Sequence, residues 1–104
     1  MSNDSVRVKA TGNIQVDNER VRVTEYTFKS GAETAFHRHE WHYVVVPQTD
    51  GKLLLVDGEG KETMADLSKG VSYYRKAGVE HNVINAGNQP LIFVEIEMKA
   101  YTAT

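Results

Sequence analysis

Turn-forming residues recur about every ten residues along this chain, and this spacing constrains the fold more than any other feature of the sequence. The segments "QTDG" (48–51), "DGEG" (57–60) and "AGNQP" (86–90) contain the Gly, Asp, Asn and Pro residues that permit positive φ angles or preset a bend. Such spacing favours an antiparallel sandwich or small barrel over a fold that alternates strands with helices. We therefore predict an all-β protein.

The segments between the turns have the character of short strands. Most of them alternate apolar and polar residues or are rich in β-branched residues. In the segment 20–28 the apolar phase slips between Val23 and Tyr26, which predicts a bulge or a strand that passes from one sheet to another. The best helical candidate, "ETAFHRHEWH" (33–42), lacks helical periodicity, so we expect at most one helical turn there. The predicted strands are 6–10, 14–16, 20–28, 43–47, 52–56, 61–67, 71–75, 80–85 and 91–98.

Composition excludes several classes of function. The 104 residues carry 12 basic and 14 acidic side chains with no basic stripe, so we expect no nucleic-acid partner. No apolar run approaches the length of a membrane span, so we expect no membrane partner. The absence of cysteine excludes a disulfide framework, a thiolate zinc site and a cysteine nucleophile. We expect one domain over 1–104 with a core of about 6–98, and, from the polar N-terminus, a cytoplasmic protein.

The stretch "GAETAFHRHEWHY" (31–43) holds three of the four histidines. In a strand, side chains two residues apart share a face with Cα atoms about 6.5–7 Å apart. His37 and His39 can therefore converge on one ion while Arg38 points away, although such pairs also occur on ordinary surfaces. The fourth histidine, His81, comes just after Gly78 at the entry to a predicted strand, and it offers the second half of a metal site.

The spacing of these residues resembles the two signatures of the cupin family. The first signature is matched by Gly31, His37 and His39, and the second by Gly70, Gly78, His81 and Asn85, with Lys76 in place of its proline. The resemblance spans roughly 21–98 and implies a cupin-type small antiparallel β-barrel, also called a double-stranded β-helix or jelly roll. Within the family, the stretches "NERVRV" (18–23) and "FHRH" (36–39) with "YV" (43–44) are most similar to short stand-alone cupins of β-alanine degradation.

The same resemblance implies a metal site formed by His37, His39 and His81, with one divalent transition metal: iron, zinc or nickel. The glutamate that follows in the first signature is missing here, because Tyr43 and Val44 occupy the candidate positions. Three imidazoles still suffice for such a metal and leave positions open for water, oxygen or substrate. The missing carboxylate leaves more positive charge on the ion, which favours an anionic substrate.

Four other residues near the predicted site have two or more interpretations each. His42 is a further ligand if it points inward, and otherwise an exposed or sheet-packed imidazole. Tyr43 could hold a metal-bound water, ligate as a phenolate or simply pack in the barrel. Arg75 could clamp a substrate carboxylate, or lie solvated on the outer sheet. Trp41 could cap the mouth of the barrel, or pack against it.

The predicted last strand contains two acidic residues among apolar ones. Because Glu95 and Glu97 alternate with apolar neighbours, we predict that they lie on an outer or dimer-facing sheet surface. Asn85 is interpreted as a turn or network residue rather than a ligand, and the glycines of the signatures as backbone requirements.

These observations predict a metal-dependent enzyme of oxygenase, lyase or isomerase type that acts on a small anionic metabolite, with Tyr43 and Arg75 as catalytic residues beside the three histidines. The alternative is a non-enzymatic cupin that binds or senses a small ligand. A third interpretation is a barrel whose histidines bind nothing. The expected partners are a small molecule and, by resemblance to the family, a second copy of the chain in a homodimer.

Overall fold

The computed structural model describes residues 7–99, and within this range it contains nine β-strands and no helix. The all-β prediction is confirmed. No helix long and apolar enough to cross a membrane occurs in these residues. The strands are β1 (Thr11–Asp17), β2 (Val21–Phe28), β3 (His37–Arg38), β4 (His42–Pro47), β5 (Gly51–Val56), β6 (Glu62–Leu67), β7 (Tyr73–Arg75), β8 (Glu80–Asn85) and β9 (Leu91–Met98).

The strands form two antiparallel sheets. One sheet has the order β1-β2-β9-β4-β7 and the other the order β3-β8-β5-β6. Only the pairs β1–β2 and β5–β6 join strands that are consecutive in the chain, so most pairings are long-range. The last strand, β9, lies between β2 and β4, which ties the two ends of the described chain into one sheet. This is the jelly-roll arrangement that the cupin resemblance implies.

The interior of the barrel changes from apolar to polar along the central strands β2 and β9. At one end, Phe28 of β2 pairs with Leu91 of β9, and both are almost fully buried. Towards the other end, the inward residue pairs become Thr24 with Glu95 and then Arg22 with Glu97. The apolar core therefore occupies only part of the barrel. Its buried members are Phe28, Ala32, Tyr43, Val45, Leu53, Leu67, Val83, Leu91 and Phe93.

The same gradient explains why both alternatives predicted for the second strand, a bulge and a passage from one sheet to another, are wrong. β2 pairs with β9 without interruption from Val21 to Phe28. The apolar phase slips because the inward position Thr24 is polar at the polar end of the barrel, whereas the outward position Val23 is apolar. The bulge lies in β1 instead, between Ile14 and Val16.

Three predicted segments differ from the structure. The strand predicted at 6–10 is absent from 7–10, where only a single bridge joins Lys9 to Glu33, and its first residue lies outside the described residues. The segment predicted at 14–16 is the longer strand β1, and the one predicted at 71–75 is confined to β7. The region 33–42 forms no helical turn but contains the two-residue strand β3, which carries His37.

Candidate functional site

The structure brings the three predicted metal ligands together where β3 meets β8. His37 and His81 are directly opposite each other in this pairing, and His39 follows two residues after His37. The Nε2 atom of His39 lies 3.0 Å from that of His37 and 3.3 Å from that of His81. Arg38 is exposed, and its Nε atom lies 3.7 Å from a carboxylate oxygen of Glu80.

A glycine turn fixes the backbone of His39. The amide of His39 donates to the carbonyl of Val79 at 2.9 Å, and the amide of Gly78 donates to the carbonyl of His39 at 2.8 Å. Gly78 has a φ of 95°, which side chains with a Cβ rarely adopt. The glycine turn of the second signature therefore holds His39, a residue of the first signature, beside His81.

A turn with an unusual backbone conformation orients the ring of His37. Its Nδ1 lies 2.9 Å from the carbonyl oxygen of Ala35. A carbonyl only accepts, so Nδ1 carries the proton and Nε2 presents its lone pair to the other histidines. Ala35 has a φ of 76°, which is a strained conformation for a residue with a Cβ, and it places this carbonyl beside the imidazole.

Burial keeps two of the imidazoles neutral. It lowers the pKa of His39 to about 3, with a smaller contribution from His37 and His81. It also lowers the pKa of His81 to about 4, with smaller contributions from His37 and Arg75. Neutral imidazole is the form that binds a metal. Nitrogen ligands on one tetrahedral zinc ion are about 3.3 Å apart, so the spacing and chemistry of these three donors fit a divalent transition metal.

A cavity of about 420 Å³ opens beside the histidines. His37 and His39 form part of its wall. Its volume lies in the range of about 300–1,000 Å³ that is typical of small-molecule sites. Its other polar or charged lining residues are Arg22, Thr24, Tyr26, Thr34, Arg38, Glu95 and Glu97.

The prediction that Glu95 and Glu97 face outward is wrong, because both line this cavity. Glu95 is only 6% exposed. It shares the inward face of β9 with Leu91 and Phe93, whereas the alternate apolar residues face outward. The prediction placed the alternate apolar residues in the interior, and so it reversed the two faces of this strand. An acidic residue in phase with the apolar Leu91 and Phe93 was the available signal, but a strand with apolar residues on both faces does not reveal which face is inside.

Glu95 contacts the side of His39 that faces away from the other histidines. One carboxylate oxygen lies 4.0 Å from Nδ1 of His39. Burial, and to a lesser extent Glu97, raises the pKa of Glu95 to about 8. Since His39 is neutral at neutral pH and the Glu95 carboxyl is largely protonated there, the contact is not an ion pair in the protein alone.

Comparison with known proteins agrees with this geometry. The family model described as "Cupin domain" matches residues 24–97. This chain belongs to the cupin family. It is 56% identical to the β-alanine degradation protein BauB of Pseudomonas aeruginosa over 95 residues, which cover 91% of this chain and 99% of that protein.

Solved cupin structures have the same fold. The crystal structure of a cupin domain from Bordetella pertussis Tohama I is 54% identical and has a TM-score of 0.87, with 91% of this chain and 98% of that chain covered. A protein with a double-stranded β-helix domain from Klebsiella pneumoniae is 21% identical, with a TM-score of 0.73 and coverage of 99% and 91%, which shows the fold alone. The predicted family and fold of this cupin are thereby confirmed.

Tyr43, at one of the positions where the family signature has glutamate, packs against a histidine. Its ring stacks on that of His39, with centroids 3.9 Å apart and an interplanar angle of 20°. Tyr43 is 2% exposed, and burial, followed by the nearby charge of Glu95, raises the pKa of its phenol above the usual range. These shifts disfavour the phenolate, so the observed contact of Tyr43 in this cupin is the stack that holds His39 in place.

His42 and Trp41 lie away from the three histidines. His42 is exposed on the opposite face of β4 from Tyr43, and its Nδ1 accepts a hydrogen bond of 2.8 Å from the amide of Ala77. Two cations lie over the ring of Trp41. The guanidinium of Arg22 is at 5.3 Å from the ring centroid, and the ammonium of Lys99 is at 5.5 Å. Of the interpretations given to these residues, the exposed imidazole and the packed indole agree with the structure.

Arg75 lies beside a different and much smaller cavity. Its guanidinium is 4.5 Å from the ring centroid of Tyr73, and its Nη1 donates to the carbonyl of Tyr74 at 3.1 Å. Arg75 and His81 both line a space of about 30 Å³ that Glu95 also borders. Arg75 is therefore near the histidine cluster but is not part of the wall of the large cavity.

Asn85 has the network role that the sequence predicts. It is 2% exposed, and its amide nitrogen donates to the carbonyls of Gln89 at 2.8 Å and Lys29 at 3.3 Å. Its amide oxygen accepts from the amide of Gly87 at 3.0 Å. These bonds tie the turn after β8 to the segment after β2. The signature glycines Gly31 and Gly70 have positive φ angles, as expected of backbone requirements.

Proposed function

We propose that this cupin is a metal-dependent enzyme of oxygenase, lyase or isomerase type that acts on a small anionic metabolite. The observation that supports this most is the convergence of three Nε2 atoms, 3.0 and 3.3 Å apart, at the wall of a cavity large enough for a metabolite. His37, His39 and His81 would hold one divalent ion of iron, zinc or nickel.

Such an ion would supply a Lewis acid with open positions for substrate, oxygen or water. The protein's own contribution is to hold the ligands. Hydrogen bonding to Ala35 keeps the lone pair of His37 directed at the site, and stacking on Tyr43 and the Gly78 turn fix His39. The catalytic roles predicted for Tyr43 and Arg75 stay predictions.

Two observations support an anionic group on the substrate. The ligand set consists of three imidazoles and no carboxylate, and imidazole ligands leave the full positive charge of a divalent ion in place. The 56% identical relative is named for the degradation of β-alanine, which supports a short-chain metabolite of that breakdown as the substrate. The cavity of about 420 Å³ accommodates a molecule of this size.

The alternative function is a non-enzymatic module that binds or senses a small ligand. The absence of the signature glutamate favours it, because the ligand set differs from the one that the family signature implies. The enzyme requires the metal, whereas the binding module could hold its ligand with or without one, and the two functions differ in turnover. A mixture of short carboxylic acids and amino acids incubated with metal-loaded protein under air would be consumed by the enzyme, whereas a sensor would only be stabilised thermally by its ligand.

The first experiment is a metal analysis of protein expressed without a histidine tag. We expect about one equivalent of a transition metal per chain in the wild type, and loss of most of it in His81→Ala. His42→Ala is the matched control, because it removes an imidazole that lies outside the cluster, and it should keep its metal. Stoichiometric metal in His81→Ala would contradict the proposed site.

We also propose that the chain forms a homodimer through the outer face of the five-stranded sheet. Most outward residues of β4 and β9 are apolar and only partly buried in one chain, although Glu25 of β2 lies beside Val94 on the same face. Val44 and Val23 both pair with Ile96, and Val46 pairs with Val94, so these side chains form a continuous apolar surface. A second copy would cover this surface, which is otherwise in contact with water.

A further inference from the structure

Two polar side chains in the wall of the large cavity are deeply buried and lack a hydrogen-bond partner. Glu95 is 6% exposed and Thr24 is 4% exposed. Among residues 7–99, neither side chain has a hydrogen bond, and a carboxylate oxygen of Glu95 lies 4.0 Å from Nδ1 of His39. No fully buried side-chain nitrogen or oxygen in these residues lacks a partner, so the free polar atoms of Glu95 and Thr24 are accessible from the cavity. Glu97, two residues further along β9 and on the same face, lines the same cavity.

These three side chains form a compact group of acceptors. Thr24 is directly opposite Glu95 in the pairing of β2 with β9. Carboxylate oxygens of Glu95 and Glu97 and the Nδ1 of His39 all lie within 4.8 Å of one another. Because these side chains line the cavity and have no hydrogen-bond partner in the protein, they can accept hydrogen bonds from a molecule bound there. A cation bound between the two carboxyl groups would stabilise their ionised forms, so a cation is the best match for this group.

The protein's own cations near this group are engaged elsewhere. Arg22 is opposite Glu97 in the sheet, but its Nε lies 3.3 Å from a carboxylate oxygen of Asp17 and its guanidinium lies over Trp41. Arg38, also in the cavity wall, lies 3.7 Å from a carboxylate oxygen of Glu80. Arg22 and Lys99 lie near enough to Glu97 to oppose the rise that burial causes in its pKa. Arg22 and Lys99 are, however, ion-paired with Asp17, and Arg38 with Glu80, so both carboxyl groups remain available to a cation from outside the chain.

The chemistry of His39 favours an ammonium over a second metal ion. A metal held by Glu95 and Glu97 would need Nδ1 of His39 as its third ligand. When Nε2 of His39 faces the histidine cluster as a lone pair, Nδ1 carries the proton and is no longer a ligand. A primary ammonium instead brings three N–H donors, which match the three acceptors of the group.

We propose that Thr24, Glu95 and Glu97 form a subsite for the primary ammonium group of the substrate. This assignment rests on the proposed function, in which the anionic end of the substrate lies at the histidine site. Nε2 and Nδ1 of His39 are on opposite sides of one imidazole, so the two subsites are separated by about the width of this ring. The substrate class is therefore a short amino acid that carries both a carboxylate and an ammonium group.

The test compares amino acids with the corresponding acids that lack the amino group. Binding of 2-aminopropanoate, 3-aminopropanoate and 4-aminobutanoate to metal-loaded wild-type protein is measured by calorimetry, each against propanoate or butanoate of the same chain length. We expect at least one amino acid to bind about 10-fold more tightly than its matched acid, as a partly buried ion pair provides. Glu97→Gln and Glu95→Gln should each reduce this preference to less than about 3-fold.

Glu62→Gln is the matched control, because it removes one negative charge from the exposed strand β6 and should leave the preference intact. Circular dichroism of each variant verifies folding, and Glu97→Gln serves if Glu95→Gln does not fold. No preference for any amino acid, or no binding at all, would overturn the ammonium subsite. A second equivalent of metal that is lost in Glu97→Gln would also overturn it, because the carboxyl groups would then be ligands of a metal ion.

The two proposals fail in different ways in these experiments. If the wild-type protein holds metal but binds amino acids and plain acids equally, the ammonium subsite is wrong and the metal site stands. If the protein holds no metal, the proposed function is wrong, and the amino-acid preference measured on the metal-free protein still decides the assignment of Thr24, Glu95 and Glu97.

Discussion

Burial of His39 prepares its imidazole for metal binding and also makes the metal-free protein sensitive to acid. Its pKa is about 3 in the folded chain, and an unfolded histidine has a pKa of about 6.5. The unfolded state therefore binds more protons between these values, so stability is lost as the pH falls from 6.5 towards 3. His81, with a pKa of about 4, contributes in the same direction.

Glu95, with a pKa of about 8, contributes in the opposite direction and offsets the loss from one of the two histidines. We therefore predict that the free energy of unfolding of the metal-free protein falls by about 2 kcal/mol between pH 6.5 and pH 4.5. Urea titrations at several pH values measure it. His39→Asn should make the dependence clearly shallower, because its side chain does not titrate, whereas His42→Asn should leave it unchanged. An equally steep dependence in His39→Asn would show that His39 is not the buried neutral group described here.

Sequence reasoning found the three histidines but missed the acidic side of the cavity, for a physical reason. The spacing of His37 and His39 on one strand face, with His81 beside a glycine turn, restricts how these residues can be arranged. Glu95 carries no comparable signal, because β9 is apolar on its outer face and apolar along half of its inner face. The burial of Glu95 and Thr24 and their place in the cavity wall show which face of β9 is inside.

At the scale of the strands, the closest packing occurs at Gly51, where β5 begins. A Cβ on Gly51 would overlap Cδ1 of Leu91 and come within 3.2 Å of its Cγ. Leu91 is 1% exposed and part of the core, so it has no free space into which it can move. This glycine therefore allows β5 to approach β9 across the barrel.

We expect Gly51→Ala to reduce the free energy of unfolding by about 1–3 kcal/mol through overpacking of the core. Chemical denaturation measures the loss. Gly58→Ala provides the comparison, because a Cβ there would make only ordinary contacts, the nearest at 3.5 Å from Phe36. Equal stability of the two variants would mean that Leu91 is less tightly held than the structure describes.

Strand positions were predictable to different degrees. β4, β5, β8 and β9 lie within a residue or so of the predicted limits, because β-branched or apolar runs are bounded there by Gly, Asp, Asn or Pro. β1 is longer than predicted, because it is an exposed edge strand in which no buried face enforces the pattern. The two-residue strand β3 is too short to have a period at all.

At the scale of the whole molecule, the apolar outer surface around Ile96 predicts self-association. We expect the wild-type protein to sediment as a dimer at micromolar concentration, and Ile96→Glu to sediment as a monomer because it places a charge in the centre of the covered face. Met64→Glu is the control, since Met64 is 53% exposed on the other sheet. A monomeric wild type, or a dimeric Ile96→Glu variant with native circular dichroism, would contradict the dimer.

The central claim is that three imidazoles, those of His37 on β3, His81 on β8 and His39 just after β3, hold one metal ion beside the cavity. Anomalous diffraction from crystals of the untagged protein, collected at the absorption edge of the metal that copurifies with it, tests this most directly. The account predicts one strong peak per chain at about 2.0–2.2 Å from the Nε2 atoms of His37, His39 and His81. A peak at any other position, or none in crystals that contain stoichiometric metal, would contradict it.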